Sequence, residues 1–303
     1  MTSDWIHTSS EIETWLVRGG PVVALETAVV SHGLPHEHAL ALANRLDAAV
    51  RAGGGIPAFV GVIRGRVEVG VPVADLAQLL AGDSVKVAER DFAVATALRR
   101  TGGTTVSATL AVAARIGIHV MATGGIGGVH YGAERTGDVS ADLAALARFP
   151  TVVVCAGPKA ICDPRRTIEA LDSFGIAVLG FRTDTLPAFL AASSGIAVPH
   201  RVDSVGEIAA VAMAHQHIGA RSGLLVVQPP PAHAALGERE LQGAVRVALN
   251  QAENAGVSAA DLTPFLLRVL AEVTGGRSVT ANLAVLEANA TLAGEIARAM
   301  SAP

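Results

Sequence analysis

The chain is poor in cysteine, in aromatic rings and in long apolar runs, and each shortage excludes something. Two cysteines in 303 residues, Cys155 and Cys162, cannot build a disulfide framework, and without further cysteines or paired histidines they do not make a zinc site. They read as small buried hydrophobes. One Tyr and two Trp leave no stacking platform, and a net charge of −4 with no basic run argues against an extended nucleic-acid surface. Half of the residues are hydrophobic, but Ala and Val scattered through the chain supply most of them, so no membrane-spanning helix is expected. Met1 to Thr14 is acidic and polar where a secretory leader needs a basic start and an apolar core, which makes the cytoplasm the default location. Compact ligands are the expected partners, with neither nucleic acid nor membrane among them.

There is no low-complexity linker and no fixed-period repeat, so a single domain over residues 1–303 is the simplest organisation. Short β-branched runs alternate with longer amphipathic ones. Pro21 to Leu25, Ile56 to Ile63, His119 to Ala122, Thr151 to Cys155, Ile176 to Gly180 and Leu224 to Val227 read as strands. Glu37 to Ala52, Asp91 to Arg100, Thr105 to Arg115, Ser140 to Arg148, Arg165 to Phe174 and Val205 to Ile218 read as helices. The alternation predicts α/β layers around a mixed or mostly parallel sheet. From Glu238 onward the pattern is mostly helical, with an apolar turn at Thr263 to Leu267 before Gly275 and Gly276.

In such folds ligands collect where strands end in small-residue loops. Glu26 directly follows the first apolar strand, and a carboxyl against apolar walls keeps its proton long enough to act as a general acid; a hydrogen-bonded structural Glu is the commoner explanation of the pattern alone. His32 and His36 have helical spacing, but Pro35 between them and the lack of a following Glu argue against a metal pair. Lys86 and the run Gly102-Gly103-Thr104-Thr105 can combine a point charge with free N–H groups at a helix start, a natural phosphate site, or can be a solvated Lys and an ordinary capped turn.

The run from Thr123 through the paired glycines to His130 allows close backbone approach to a ligand, yet His130 stands where a dinucleotide fingerprint needs its third glycine. Beyond it, Ser140 and Asp142 fit helix capping and catalysis about equally, and Asp138 suits a Mg²⁺ or Mn²⁺ ion that keeps several waters. Lys159 follows the very apolar strand Val152 to Cys155. Desolvation there favours a free amine able to attack a carbonyl-like carbon, against the bland alternative of an exposed loop Lys.

Taken together, Ala24-Leu25-Glu26 with His32-Gly33, Gly124 to His130, Asp138 to Leu143, Val153 to Gly157 with Lys159, Thr263 to Leu267, and Asn282 with Asn289 closely resemble the pseudouridine-5′-phosphate glycosidase family, also called indigoidine synthase A-like. The resemblance spans nearly the whole chain. It implies an α/β/α sandwich, a homotrimer, and reversible cleavage of pseudouridine 5′-phosphate to uracil and ribose 5-phosphate with one Mn²⁺ per subunit. By motif, Lys159 matches the nucleophile, Glu26 the proton donor and Asp138 the metal ligand. Lys86, Val106, Ser140, Ala141 and Asp142 match substrate-contacting positions, Asn282 a further pocket residue and Thr123 a phosphate contact. The sequence departs from the family pattern at Thr27-Ala28, at Pro158 and at Gln228-Pro229-Pro230-Pro231, which bears on pocket geometry more than on reaction class. A different Lys-dependent lyase and a catalytically silent nucleotide-binding protein are the competing readings.

Overall fold

The computed structural model describes residues 5–32, 36–80, 82–257 and 262–301. Among them eleven strands form one sheet: β1 (Ile6–Thr8), β2 (Val22–Glu26), β3 (Ile56–Ile63), β4 (Arg66–Val69), β5 (Val85–Val87), β6 (Gly102–Thr104), β7 (Val120–Ala122), β8 (Val152–Cys155), β9 (Ala177–Phe181), β10 (His200–Val202) and β11 (Leu224–Val227). Their order is β1-β4-β3-β2-β7-β8-β11-β9-β10, with β6 pairing both β3 and β5. Every pairing is parallel except those of β3 with β4 and β6.

The helices are α1 (Ser10–Val17), α2 (Ala28–His32), α3 (His36–Ala52), α4 (Phe92–Ala97), α5 (Val106–Ile116), α6 (Ala133–Thr136), α7 (Ala141–Leu146), α8 (Pro164–Ser173), α9 (Val205–His217), α10 (Glu238–Asn254), α11 (Leu262–Val273) and α12 (Arg277–Ser301). Side chains alternate across a strand, and here both faces are covered, which is why the central strands read as unbroken apolar runs. Val23 and Leu25 pack with Leu42 and Leu46 of α3, Ile208 of α9 and Leu286 of α12. Val22 and Ala24 belong to the opposite core, with Leu110 of α5, Leu143 of α7 and Leu171 of α8. A third cluster joins α10, α11 and α12 to the buried residues Ala156, Ala160, Ile161 and Cys162 flanking Lys159. The α/β layers around a mostly parallel sheet are therefore as expected.

All six anticipated strands form, two of them at the residue, two starting one residue later and two moved one residue along the chain. β1, β4, β5, β6 and β10 were not anticipated; each has three or four residues, too few to show a period. The sequence Gly-Gly-Thr of β6 opposes strand formation, but β3 and β5 on either side supply ladder partners. Thr263 to Leu267 is no isolated turn and lies inside α11. α2 ends at His32 and α3 begins at His36, while Gly33 and Pro35 lie outside the described residues.

α12 crosses α3 at very short range because glycine stands on both sides. A Cβ on Gly294 would lie 2.4 Å from the Val50 carbonyl oxygen, and one on Gly53 would lie 2.2 Å from that of Thr291. This contact brings the side chains of α12 over the ends of β2 and β7.

Candidate active site

The chain passes from β2 outward to β3, and from β7 in the other direction to β8, so the connections diverge between the neighbours β2 and β7. That divergence opens a crevice at the carboxyl ends of the strands, where open α/β sheets bind ligands. Glu26 ends β2 and Thr123 follows β7, and the Thr123 hydroxyl donates to Glu26 Oε1 at 3.2 Å across the crevice. Glu26 Oε2 accepts from the Val29 N–H at 2.9 Å, at the start of α2. With its side chain enclosed by Val29, Leu46 and Leu286, Glu26 is only 5 % exposed. Burial lifts its carboxyl above the ordinary value of 4.5, while the Lys159 charge, the Val29 N–H and the Thr123 hydroxyl pull the other way.

Thr27, one of the departures from the family pattern, ties this corner together. Its hydroxyl donates to the Val60 carbonyl at 2.6 Å and accepts from the Thr104 N–H at 3.1 Å, joining the ends of β2, β3 and β6.

Lys159 is held by the glycine loop. The Lys159 N–H donates to the Ile126 carbonyl at 2.9 Å, Ile126 N–H to Gly157 at 3.1 Å, and Ala156 N–H to Gly124 at 2.9 Å, so the loops after β7 and β8 pair like short strands. Gly157 has φ +84° and a Cβ there would lie 2.4 Å from the Pro187 carbonyl oxygen, so the turn into Pro158 and Lys159 requires glycine. Every residue from Thr151 to Pro158 is buried and Lys159 itself is half-buried, its charge felt by Glu26, Lys86 and His130.

Lys86 lies on β5 opposite Gly103, beside the start of α5. Its side chain reaches solvent yet is flanked by protein, and this desolvation, followed by the Lys159 charge, lowers its ammonium below the usual 10.5. Thr105 caps α5, and the N–H of Val106 has no partner among the described residues. Asp142 is buried with both oxygens committed to backbone, Oδ1 to Ser107 N–H at 3.0 Å and Oδ2 to Gly127 N–H at 2.8 Å. It thus clamps α5 to the glycine loop, and Ser140 caps α7 through the Asp142 N–H. Ala141, partly exposed, begins that helix.

Asp138 projects to solvent with its side chain 39 % exposed, and Oδ2 lies 3.0 Å from His130 Nδ1 without the alignment of a hydrogen bond. Desolvation lowers the His130 imidazole below 6.5, against the opposing pull of Asp138. Among the described residues no three His, Cys, Asp or Glu side chains cluster as a closed metal cage. One accessible carboxylate, with the His130 ring nitrogen 3.0 Å from it, fits a cation that keeps most of its water.

Asn282 and Asn289 project from one face of α12, seven residues apart. Asn282 Oδ1 approaches Gly124, and its amide has no hydrogen-bond partner among the described residues. Thus Glu26, Thr123, Lys86, Val106, Asp142, Lys159 and Asn282 converge on the strand ends, with Thr123 hydrogen-bonded to the acid. Two features went unforeseen in the sequence. Partly buried Gln228 and buried Asn289 form an amide pair, and a cavity of about 360 Å³ borders Lys159, walled by Tyr131, Cys162 and the Leu241, Val245 and Arg246 face of α10. That cavity does not reach Glu26, Lys86 or Asp142. The two thiols are inert fillers, burial pushing Cys155 and Cys162 up to about 12.

Fold and site together define an α/β enzyme that brings a primary amine and a buried carboxyl to one crevice at the strand ends. The chain belongs to the indigoidine synthase A-like family: residues 11–299 match the family described as "Indigoidine synthase A like protein". A protein of Herpetosiphon aurantiacus named pseudouridine-5′-phosphate glycosidase is 45% identical over 96% of this chain and 96% of its own length. One of the same name from Sorangium cellulosum is 44% identical over 98% of this chain and 94% of its own. Among solved structures, the prealnumycin C-glycosynthase AlnA in complex with ribulose 5-phosphate superposes with TM-score 0.90 at 33% identity, covering 99% of this chain and 98% of that one. An indigoidine synthase A-like protein of Thermotoga maritima gives 0.89 at 35% identity, covering 98% and 97%.

Proposed function

We propose that the protein cleaves and re-forms the carbon–carbon glycosidic bond of pseudouridine 5′-phosphate, exchanging it with uracil and ribose 5-phosphate. The observation that carries this reading is a buried Glu26, its carboxyl raised above the ordinary value, within range of the Lys159 charge, supported by the names of the relatives. Uracil C5 is a poor leaving group, so paired-carboxylate chemistry through an oxocarbenium ion would expel a costly carbanion. An amine avoids that. Attack of the Lys159 Nζ lone pair on C1′ displaces O4′ and opens the ribose ring, the proton lost by nitrogen passing to O4′; the nitrogen lone pair then forms C1′=N as the C1′–C5 pair passes to C5, which takes the Glu26 proton. Water then adds to the protonated imine, releasing ribose 5-phosphate, restoring the amine and returning a proton to Glu26.

Lys86 and the free Val106 N–H at the start of α5 would hold the phosphate. Ser140, Ala141 and Asp142 would shape the sugar pocket, Asp142 through the backbone that its carboxylate fixes, and the Asn282 amide would face the base. Asp138 would hold Mn²⁺, its remaining positions taken by water; the ion supplies positive charge near the substrate's anionic groups. We further assign the protein to the cytoplasm and to a homotrimeric assembly.

Incubating the protein and Mn²⁺ with uracil and ribose 5-phosphate should yield pseudouridine 5′-phosphate, and borohydride added with ribose 5-phosphate should reduce an adduct onto Lys159. Turnover by Lys159→Ala at a rate near that of the unaltered protein would end this reading. The likeness to a C-glycosynthase favours, as second reading, the same imine chemistry with another ring as acceptor. Failure of uracil to react, with the Lys159 adduct intact, would select it.

A further inference from the structure

We propose that Asn289 and Gln228 are positioning residues that set the Glu26 carboxyl for proton transfer by fixing the Thr123–Gly124 turn. The inference rests on the reading of Glu26 as proton donor. Asn289 is 1% exposed, and its amide is spent entirely on protein. Nδ2 donates to the Thr123 carbonyl at 2.8 Å and to the Gly124 carbonyl at 3.2 Å, while Oδ1 accepts from Gln228 Nε2 at 2.9 Å. A flipped amide would set its oxygen against two carbonyls and its NH₂ against another NH₂, so the orientation is unique. Gln228 is anchored in turn, its N–H donating to the Cys155 carbonyl at the end of β8 at 3.0 Å.

The same turn is held on its other side by Thr123 N–H to Val154 at 3.0 Å and Ala156 N–H to Gly124 at 2.9 Å. Among the described residues, its hydrogen-bonded link to the acid is the Thr123 hydroxyl on Glu26 Oε1. When Glu26 gives up its proton in a dry pocket, the anion is met by two donors, that hydroxyl and the Val29 N–H. Position of the hydroxyl follows position of the turn, and the turn is fixed from above by Asn289. Two amides on one helix face thereby divide the work, Asn289 toward the scaffold and Asn282 toward the ligand.

The test compares Asn289→Ala, Gln228→Ala, Thr123→Val and the double variant Asn289→Ala with Thr123→Val. Glu26 is titrated in the free protein by isotope-edited infrared spectroscopy of its carboxyl, with Glu26→Gln as the blank. The charged groups around Glu26 are Lys159, Asp142 and Lys86, all unchanged in these variants. Expected is an upward move of the Glu26 titration in Asn289→Ala, in the direction of Thr123→Val, with no further move in the double variant. Carbon–carbon cleavage should slow by between about tenfold and a hundredfold, while borohydride trapping of ribose 5-phosphate at Lys159 stays within about twofold of the unaltered protein. Should Asn289→Ala not fold, Gln228→Ala, which removes only the orienting bond, must show a smaller move of the same sign. A Glu26 titration unmoved in folded variants, or effects of Asn289 and Thr123 that simply add, would overturn the proposal. If the unaltered protein traps no sugar and makes no product, the catalytic reading falls, and the infrared titration still decides the positioning.

Discussion

An acid kept protonated by its surroundings costs the fold stability once it ionises. Glu26 has its carboxyl raised above 4.5 by burial, so between 4.5 and the raised value the folded chain holds a proton that the unfolded chain has released. Stability from this group is complete below 4.5 and falls as pH rises through that window. Glu26→Gln should abolish that decline, giving a higher Tm than the unaltered protein at neutral pH while turnover drops by about 10²–10⁴; calorimetry across pH and a uracil-release assay read the two effects. Asp138→Asn should weaken Mn²⁺ binding by at least about tenfold with no change in Tm, seen by titrating free Mn²⁺ by its paramagnetic resonance signal. Glu26 and Lys159 could be picked out in the sequence because each follows an apolar run. Gln228 and Asn289 could not be given roles, since two amides 61 residues apart become partners only after β11 and α12 are side by side.

Elements carry the next set of constraints, and most of these act through glycine. Gly157→Ala places a methyl group against the Pro187 carbonyl in a left-handed turn, and should cost about 1–3 kcal/mol in urea unfolding. Because the turn leads directly into Lys159, the yield of borohydride adduct should fall with it. Gly294→Ala should force α12 off α3 at a similar cost of about 1–3 kcal/mol, but lower activity through the displaced Asn282 and Asn289. Period and turn signals made the long elements legible, down to Ile56–Ile63 and Leu224–Val227 at the residue. β1, β4, β5, β6 and β10 escaped because their partners, and not their own composition, decide them.

At the scale of the whole molecule, both faces of the sheet are covered by helices and the site sits where the connections diverge, an arrangement that composition and alternation foreshadowed only as a class. The assignment to a homotrimer predicts a sedimentation-equilibrium mass three times that of the chain, independent of Mn²⁺. The central strands are complete at Val227, yet the amides of Asn282 and Asn289 arrive only with α12. Synthesis runs from the N-terminus, so a ribosome-bound chain that has exposed β1 to β11 still lacks α12 and both of its amides. The crevice between β2 and β7 is therefore left uncovered on that side until α12 has emerged and docked against α3.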